Sequence, residues 1–223
     1  MNNESNSTQA APPTEAVKPY HKGNVSADLF AAASRLIESE GLDSLTVRRL
    51  CREVDVTAGN FYNHYPSLQY LLLDVATAGV EMLSATTSRA VNRGKSREEK
   101  LVAVTLSFVE FSLDHPDLFR VMYGQVSGSD NHEHFYRKSE ESFSSLVKLI
   151  YEEDIYRADD LVWSHTHCRK AYAYFSFAYG LARLVSMHIF TFAKDTKTER
   201  QNFVKDMAWT FIHGLDGPNP PAK

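Results

Sequence analysis

The chain has 223 residues, 43% of them apolar and 12% aromatic, enough for a sizeable core, and a net charge of −4, which excludes bulk positive charge as a means of binding nucleic acid. Two cysteines, Cys51 and Cys168, with no CxxC pair, argue against a disulfide-stapled secreted fold and point to a reducing cytoplasm. The N-terminus lacks the apolar core of a signal peptide, and no run approaches the ~18 apolar residues of a membrane span, so a soluble, cytoplasmic protein with no membrane partner is expected.

Residues 1–19 are rich in Asn, Ser, Thr, Pro and Glu and poor in large apolar groups, the composition of a disordered tail. From Asn24 the pattern turns helical. Leu29, Ala33, Leu36 and Ile37 mark one face, and Gly41 stops the helix. Thr46 is placed to cap a short second helix whose apolar side is Val47, Leu50 and Val54, with Arg48, Arg49 and Arg52 turned mostly outward. Asp55 occupies a tight turn that calls for a left-handed backbone, which Asp tolerates better than most residues. Thr57 then caps a third helix, Ala58 to Tyr65, halted by Pro66. Cys51 is small enough to face its neighbour, and Val56 and Phe61 fill the space between the helices.

Two short helices joined by a tight turn, with a third behind, form a helix-turn-helix that presents its last helix to the major groove. The exposed face of that helix is Ala58, Gly59, Asn60, Tyr62, Asn63 and His64, small where a backbone must approach base edges and hydrogen-bonding along the flank. Charge agrees with a local rather than a bulk contact, since residues 18–65 carry six basic and six acidic groups.

The stretch SLTVRRLCREVDVTAGNFYNHYPSLQYLL resembles the helix-turn-helix of the bacterial TetR family of transcriptional regulators. Thr46, Arg48, Phe61, Tyr62, His64 and Tyr65 stand where the family pattern has a Thr, an Arg two residues on, and an FYxHY ending. Asp55 replaces the usual Gly, and Leu68 stands where a Lys is usual, which removes one expected phosphate contact and leaves Ser67 and the first amides of the next helix to meet a phosphate. The resemblance implies that Thr46, Arg48, Thr57, Ala58, Gly59, Asn60, Tyr62, Asn63 and His64 contact a double-stranded DNA operator.

Beyond residue 66 the chain stays helical. Ser67 opens a long helix carrying Leu71, Leu72, Val75, Gly79, Met82 and Leu83. Ser96 and Glu99 form a capping box ahead of Leu101, Val104, Phe108 and Phe111. Pro116 fits the first turn of a short helix, and FSLDHPDLFRVMYG resembles a segment from the ligand-binding half of a TetR subgroup. A helix from about His134 to Glu153 and two long ones, Leu161 to Thr191 and Thr198 to His213, complete an all-α chain with a DNA-binding domain at 20–66 and a ligand-binding and dimerisation domain at 67–217.

On a helix running through 161–191, His165, Cys168, Tyr172, Phe175 and Tyr179 share one face, while Trp163, Tyr174, Phe177 and Leu181 lie on another, so this helix is buried on more than one side. The resemblance implies a cavity beside the fourth helix, with Phe108, Phe119, Tyr123, Phe143, Tyr172, Phe175 and Tyr179 as its ligand-binding residues. Phenols among rings suit an apolar or aromatic effector with one or two polar atoms. Leu184, Val185, Met207, Trp209 and Phe211 offer surface for a homodimer.

Two other classes compete. His132, His134, His165, His167 and Cys168 are possible metal ligands of a metal-responsive regulator, although neither spacing matches a zinc signature. An all-helical enzyme would need a catalytic motif, and no nucleophile elbow, phosphate loop or zincin sequence is present. The reading is a ligand-responsive repressor that binds a palindromic operator as a dimer, without enzymatic activity or cofactor.

Overall fold

A computed structural model describes residues 24–124, 133–152, 168–187 and 196–215. Among them the chain is entirely helical, with nine α-helices and no strand. The expected tail at 1–19 lies outside the described residues. No described helix is long and apolar enough to cross a membrane.

The first three helices follow the local signals closely. Helix α1, Val25–Glu40, is capped by the Asn24 side chain and buries Leu29, Ala32, Ala33, Leu36 and Ile37. It ends at Gly41, whose φ of 84° is open to glycine and costly for other residues. A single 3₁₀ turn, Leu42–Ser44, follows and buries Leu42. Helix α2, Val47–Val54, starts at Thr46, whose hydroxyl accepts from the Arg49 amide at 3.1 Å. Asp55 closes it in the left-handed conformation at φ 58°, ψ 48°, as the turn required. Helix α3, Ala58–His64, is capped by Thr57, which accepts from the Asn60 amide at 3.1 Å. It stops one residue short of the expected end, because Pro66 forces Tyr65 into an extended backbone at φ −130°.

Helix α4, Leu68–Val91, is the longest described helix and buries a broad face from Leu71 to Leu83. Met82, expected in that apolar series, is exposed instead, although it shares the helical face of Val75 and Gly79. In helix α5, Arg97–Asp114, the capping box forms with Glu99 reaching back to the Lys95 amide at 2.7 Å. Helix α6 is Pro116–Gly124. Helix α7 spans Glu133–Tyr151, and Glu152 at φ 55° ends it before the expected Glu153.

Helix α8 is described over Arg169–Ser186 and is preceded by Cys168 at φ −100°, ψ 14°. Cys168 therefore stands at the helix start and not one turn inside it, which corrects the alignment expected for the long helix 161–191. Residues 161–167 and 188–191, with Trp163, lie outside the described residues. Helix α9, Lys197–Leu215, begins at a second capping box that the sequence reading missed: the Glu199 amide donates to Thr196 Oγ1 at 3.2 Å, and Glu199 Oε2 accepts from the Thr196 amide at 3.4 Å.

One core runs without a break from Leu29 and Leu50 in the N-terminal helices through α4 and α6 to Leu181 and Val204. A second cluster joins α5, α7, α8 and α9 around Leu101, Val147, Tyr174 and Ile212. Tyr174 is fully buried there, its hydroxyl donating to the Leu101 carbonyl and lying 2.6 Å from the Thr105 hydroxyl. The N-terminal helices are thus set against α4 and α6 through shared apolar packing, while α8 and α9 pack mainly on α5.

Candidate functional site

The helix-turn-helix presents a small, polar, open face. Thr46, Arg48, Thr57, Ala58, Gly59, Tyr62, Asn63 and His64 are exposed and Asn60 half-buried. Phe61, on the opposite side of α3, is fully buried. Tyr62 is 55% exposed and meets the Phe61 ring edge-on at 5.3 Å. A methyl group added at Gly59 would meet nothing closer than Thr57 Oγ1 at 3.9 Å, so packing within the chain does not demand glycine there.

The three arginines of α2 divide into two kinds. Arg48 and Arg52 are exposed. Arg49 turns back on the scaffold, contrary to the outward orientation expected of the three together. Its guanidinium meets Glu40 at 2.8 Å and Glu53 at 3.8 Å, and Glu53 also pairs with Arg35 at 2.9 Å. The cluster ties α1 to α2, and Arg49 is structural.

Tyr65 was legible only as the end of a family pattern, yet it joins three elements. Its hydroxyl accepts from Ser26 of α1 and donates to Asp74 of α4, each at 3.0 Å, and the residue is buried. Burial pushes the phenol above its ordinary range, with the Ser26 hydrogen bond opposing and the Asp74 carboxylate reinforcing the shift.

A second link to the N-terminal unit comes from α6. Arg120 grips Asp43 of the 3₁₀ turn with its two terminal guanidinium nitrogens, at 2.7 and 3.1 Å. That hydrogen-bonded pairing holds the Asp43 carboxyl below the usual carboxylate range. Both groups face solvent, so the contact sets orientation more than stability.

Between α4, α5, α6, α7 and α8 lies a cavity of about 670 Å³. Of the expected ligand-binding residues, Phe108, Tyr123, Phe143, Tyr172 and Phe175 line it. Phe143 sits 5.0 Å from Tyr172, and Phe108 meets Phe175 edge-on at 5.8 Å, so the rings form a connected wall. Phe119 and Tyr179 do not line it. They stack on each other at 5.9 Å and sit behind Tyr123, at 4.8 and 5.2 Å, as its support. Tyr123 is pushed well above the tyrosine range, first by burial and then by the neighbouring Tyr179.

Gly79 faces α6. A Cβ there would come within 2.7 Å of Met122 Sδ and 3.0 Å of Leu118 Cδ1. The sequence reading also missed the serines and threonine of α4 and α7 that line the cavity, because hydroxyls at helical spacing read equally well as a solvated face.

Of the possible metal ligands, His132, His165 and His167 lie outside the described residues. His134 Nδ1 is 3.0 Å from Arg137 Nη2, and Cys168 is buried, which pushes its thiol upward. Among the described residues no three His, Cys, Asp or Glu side chains converge. Of the residues expected at a dimer surface, Leu184, Met207 and Trp209 are exposed. Val185 is in the core, and Phe211 stacks on Phe177 at 4.3 Å, so these two face inward.

The sequence profile of the tetR family of bacterial regulatory proteins matches residues 29–75, the segment from α1 into α4. A nucleoid occlusion factor SlmA from Vibrio atlanticus (strain LGP32) is 25% identical over 111 residues, which are 49% of this chain and 57% of that protein. The chain thus spans little more than half the length of that curated relative. A solved structure of a protein of unknown function from Rhodococcus sp. RHA1 is 26% identical, with a TM-score of 0.69 over 90% of this chain and 100% of that one. A bacterial regulatory protein in the tetR family from Rhodococcus RHA1 shares the fold at 18% identity, with a TM-score of 0.53 over 87% of this chain and 96% of that one. The helix-turn-helix segment thus matches the family profile of the tetR regulators, and the bundle as a whole has the fold of these solved structures.

Proposed function

We propose that the protein is a dimeric, ligand-responsive transcriptional repressor that binds a palindromic operator and is released by a small apolar effector. The observation that carries this reading is the position of α4. It begins after the three residues that follow α3, buries its N-terminal part against the helix-turn-helix, and lines the cavity with residues from Val80 onward.

On DNA, Arg48 and the Asn60 flank of α3 reach base edges, and Thr46, Tyr62 and His64 hold phosphates. Thr46 and Thr57 use an oxygen lone pair for capping, which leaves each O–H to donate to a phosphate. The free space at Gly59 admits close approach of the DNA backbone. Two copies, joined through the exposed apolar residues of α8 and α9, place two recognition helices about one helical turn apart on a two-fold operator.

An effector in the cavity favours a tilt of α4 that separates the recognition helices. Linkage requires that DNA and effector weaken each other by the same factor, with a coupling of ~1–3 kcal/mol typical. α6 supports the same coupling, because it contributes Met122 and Tyr123 to the cavity and Arg120 to Asp43.

The test is a mobility-shift assay on duplexes selected from a random pool. Tyr62→Ala weakens binding to all sequences, and Asn60→Ala changes the preferred sequence. Unchanged affinity and preference in both variants would remove α3 as the recognition helix.

A further inference from the structure

The walls of the cavity carry a chemical bias that narrows what it can hold. Resting on the reading of the cavity as the effector site, we infer that the effector is an uncharged molecule with an apolar ring body and a neutral hydroxyl, carbonyl or amide group, docked against a band of hydroxyls between α4 and α7.

The band comes from two helices that face each other. Ser84, Thr87 and Ser88 stand on α4 at the three- and four-residue spacing of one helical face, and Ser139, Ser142 and Ser145 repeat every three residues on α7. The two rows touch at one point, where Ser84 donates to Ser142 at 3.0 Å. The rings of Phe108 on α5 and Phe175 on α8 line the same cavity, and Phe143 stands beside Ser142 on α7. The lining therefore combines a band of hydroxyls with aromatic and aliphatic side chains.

Thr87 singles out a position in the band. Its Oγ1 is buried and has no hydrogen-bond partner among the described residues. A buried hydroxyl left in that state costs free energy, and rotation about χ1 that turns it into the cavity would let a ligand group able to donate or accept recover that cost. Close helix packing alone explains small residues on facing helices, but it would be served as well by alanine and gives no reason for an unpaired hydroxyl.

The charge of the described lining disfavours anionic ligands. Among the described residues that line the cavity, Glu140 is the one charged side chain, and no Lys, Arg or His is present. Lys138, on the same helix, is held by Glu81 at 3.3 Å and Glu141 at 3.2 Å. A carboxylate or phosphate entering here would leave water without a counter-charge and would meet Glu140. A neutral group needs no such partner.

The experiment uses the full chain and the neutral fluorophore N-phenyl-1-naphthylamine, whose emission rises in apolar surroundings. Biphenyl, 4-biphenylmethanol and biphenyl-4-carboxylate then compete for it, sharing one ring body and differing in the end group. The alcohol displaces the fluorophore at a concentration at least tenfold below the carboxylate, and Glu140→Gln narrows that gap. Thr87→Val keeps the shape and weakens the alcohol by roughly three- to tenfold, the range of one hydrogen bond. Thr87→Ser restores it, and biphenyl changes by less than twofold in either variant. Thermal melting of each variant checks that the fold is intact. A carboxylate that competes as well as the alcohol, or an alcohol indifferent to Thr87→Val, overturns the inference while leaving the cavity as an effector site. Absence of any fluorophore binding to the unaltered protein overturns both.

Discussion

Gly79→Ala places one methyl group at the contact between α4 and α6, and the structure fixes what it meets. The new Cβ would lie 2.7 Å from Met122 Sδ, 2.9 Å from Met122 Cγ and 3.0 Å from Leu118 Cδ1. Ordinary contact between non-bonded heavy atoms is ~3.5–4.0 Å, so the Met122 thioether must retreat by about 1 Å. Met122 is unbranched and lines the cavity, so it has room to swing without moving either helix. Overpacking of a filled core costs ~1–3 kcal/mol, and an available void puts this case at the low end. Alanine gains roughly 0.5–1 kcal/mol over glycine inside a helix. The two nearly cancel, and the expected net change is within about 1 kcal/mol, or a melting shift of no more than ~2–4 °C for a chain of this size. Cavity binding responds more strongly, because Met122 then occupies part of the space. Affinity for N-phenyl-1-naphthylamine falls several-fold, while operator affinity stays within twofold because the helix axes do not move. Thermal melting, fluorescence titration and a shift assay on one preparation give all three values. A loss of stability above about 3 kcal/mol with cavity binding intact would refute this reasoning, since it would mean that α4 and α6 had spread while Met122 stayed in place.

Asp55→Gly relieves a left-handed residue at φ 58° and removes a negative charge beside the last carbonyls of α2, so stability rises by about 1 kcal/mol, seen as a melting point ~2–4 °C higher. A lower melting point would show that Asp55 makes a compensating interaction in the turn. The buried phenols of Tyr123 and Tyr174 are raised in the folded state by burial, so their contribution to stability is complete below the unfolded value near pH 10 and is lost as pH climbs above it. Tyr174→Phe therefore flattens the fall in melting temperature between pH 10 and 12, and an unchanged slope would contradict the assignment. Light scattering at micromolar concentration gives about twice the 25.2 kDa of one chain, and Met207→Glu with Trp209→Glu shifts it toward the monomer. A monomer without any substitution would end the dimer reading.

Much of the N-terminal half was legible because its signals are local. A cap is decided by a side chain and an amide three residues away, as at Thr46, Thr57 and Ser96, and the left-handed turn at Asp55 by the short span between two capped helices. The exposed face of α3 follows from periodicity once Phe61 is placed inward. Helical periodicity tells which residues share a face but not which neighbour that face meets. Arg49 could be recognised as structural only when Glu40 and Glu53 stood beside it, and Tyr65 as a junction only when Ser26, 39 residues away, came within 3.0 Å. The same limit explains the cavity. Phe119 and Phe108 look alike in sequence, yet one supports Tyr123 from behind and the other lines open space, because α6 and α5 present them to different neighbours. Val185 and Phe211, apolar like Leu184 and Met207, turn inward for a similar reason. The amino-acid sequence by itself determined the helical character of the chain, the ends of α1 and α2, the start of α5 and the polar face of α3, all of which depend on contacts within one or two turns. Only the tertiary structure decided the direction of Gly79, the hydroxyl band between α4 and α7 and the grip of Arg120 on Asp43, because each depends on how helices distant in the chain are brought side by side.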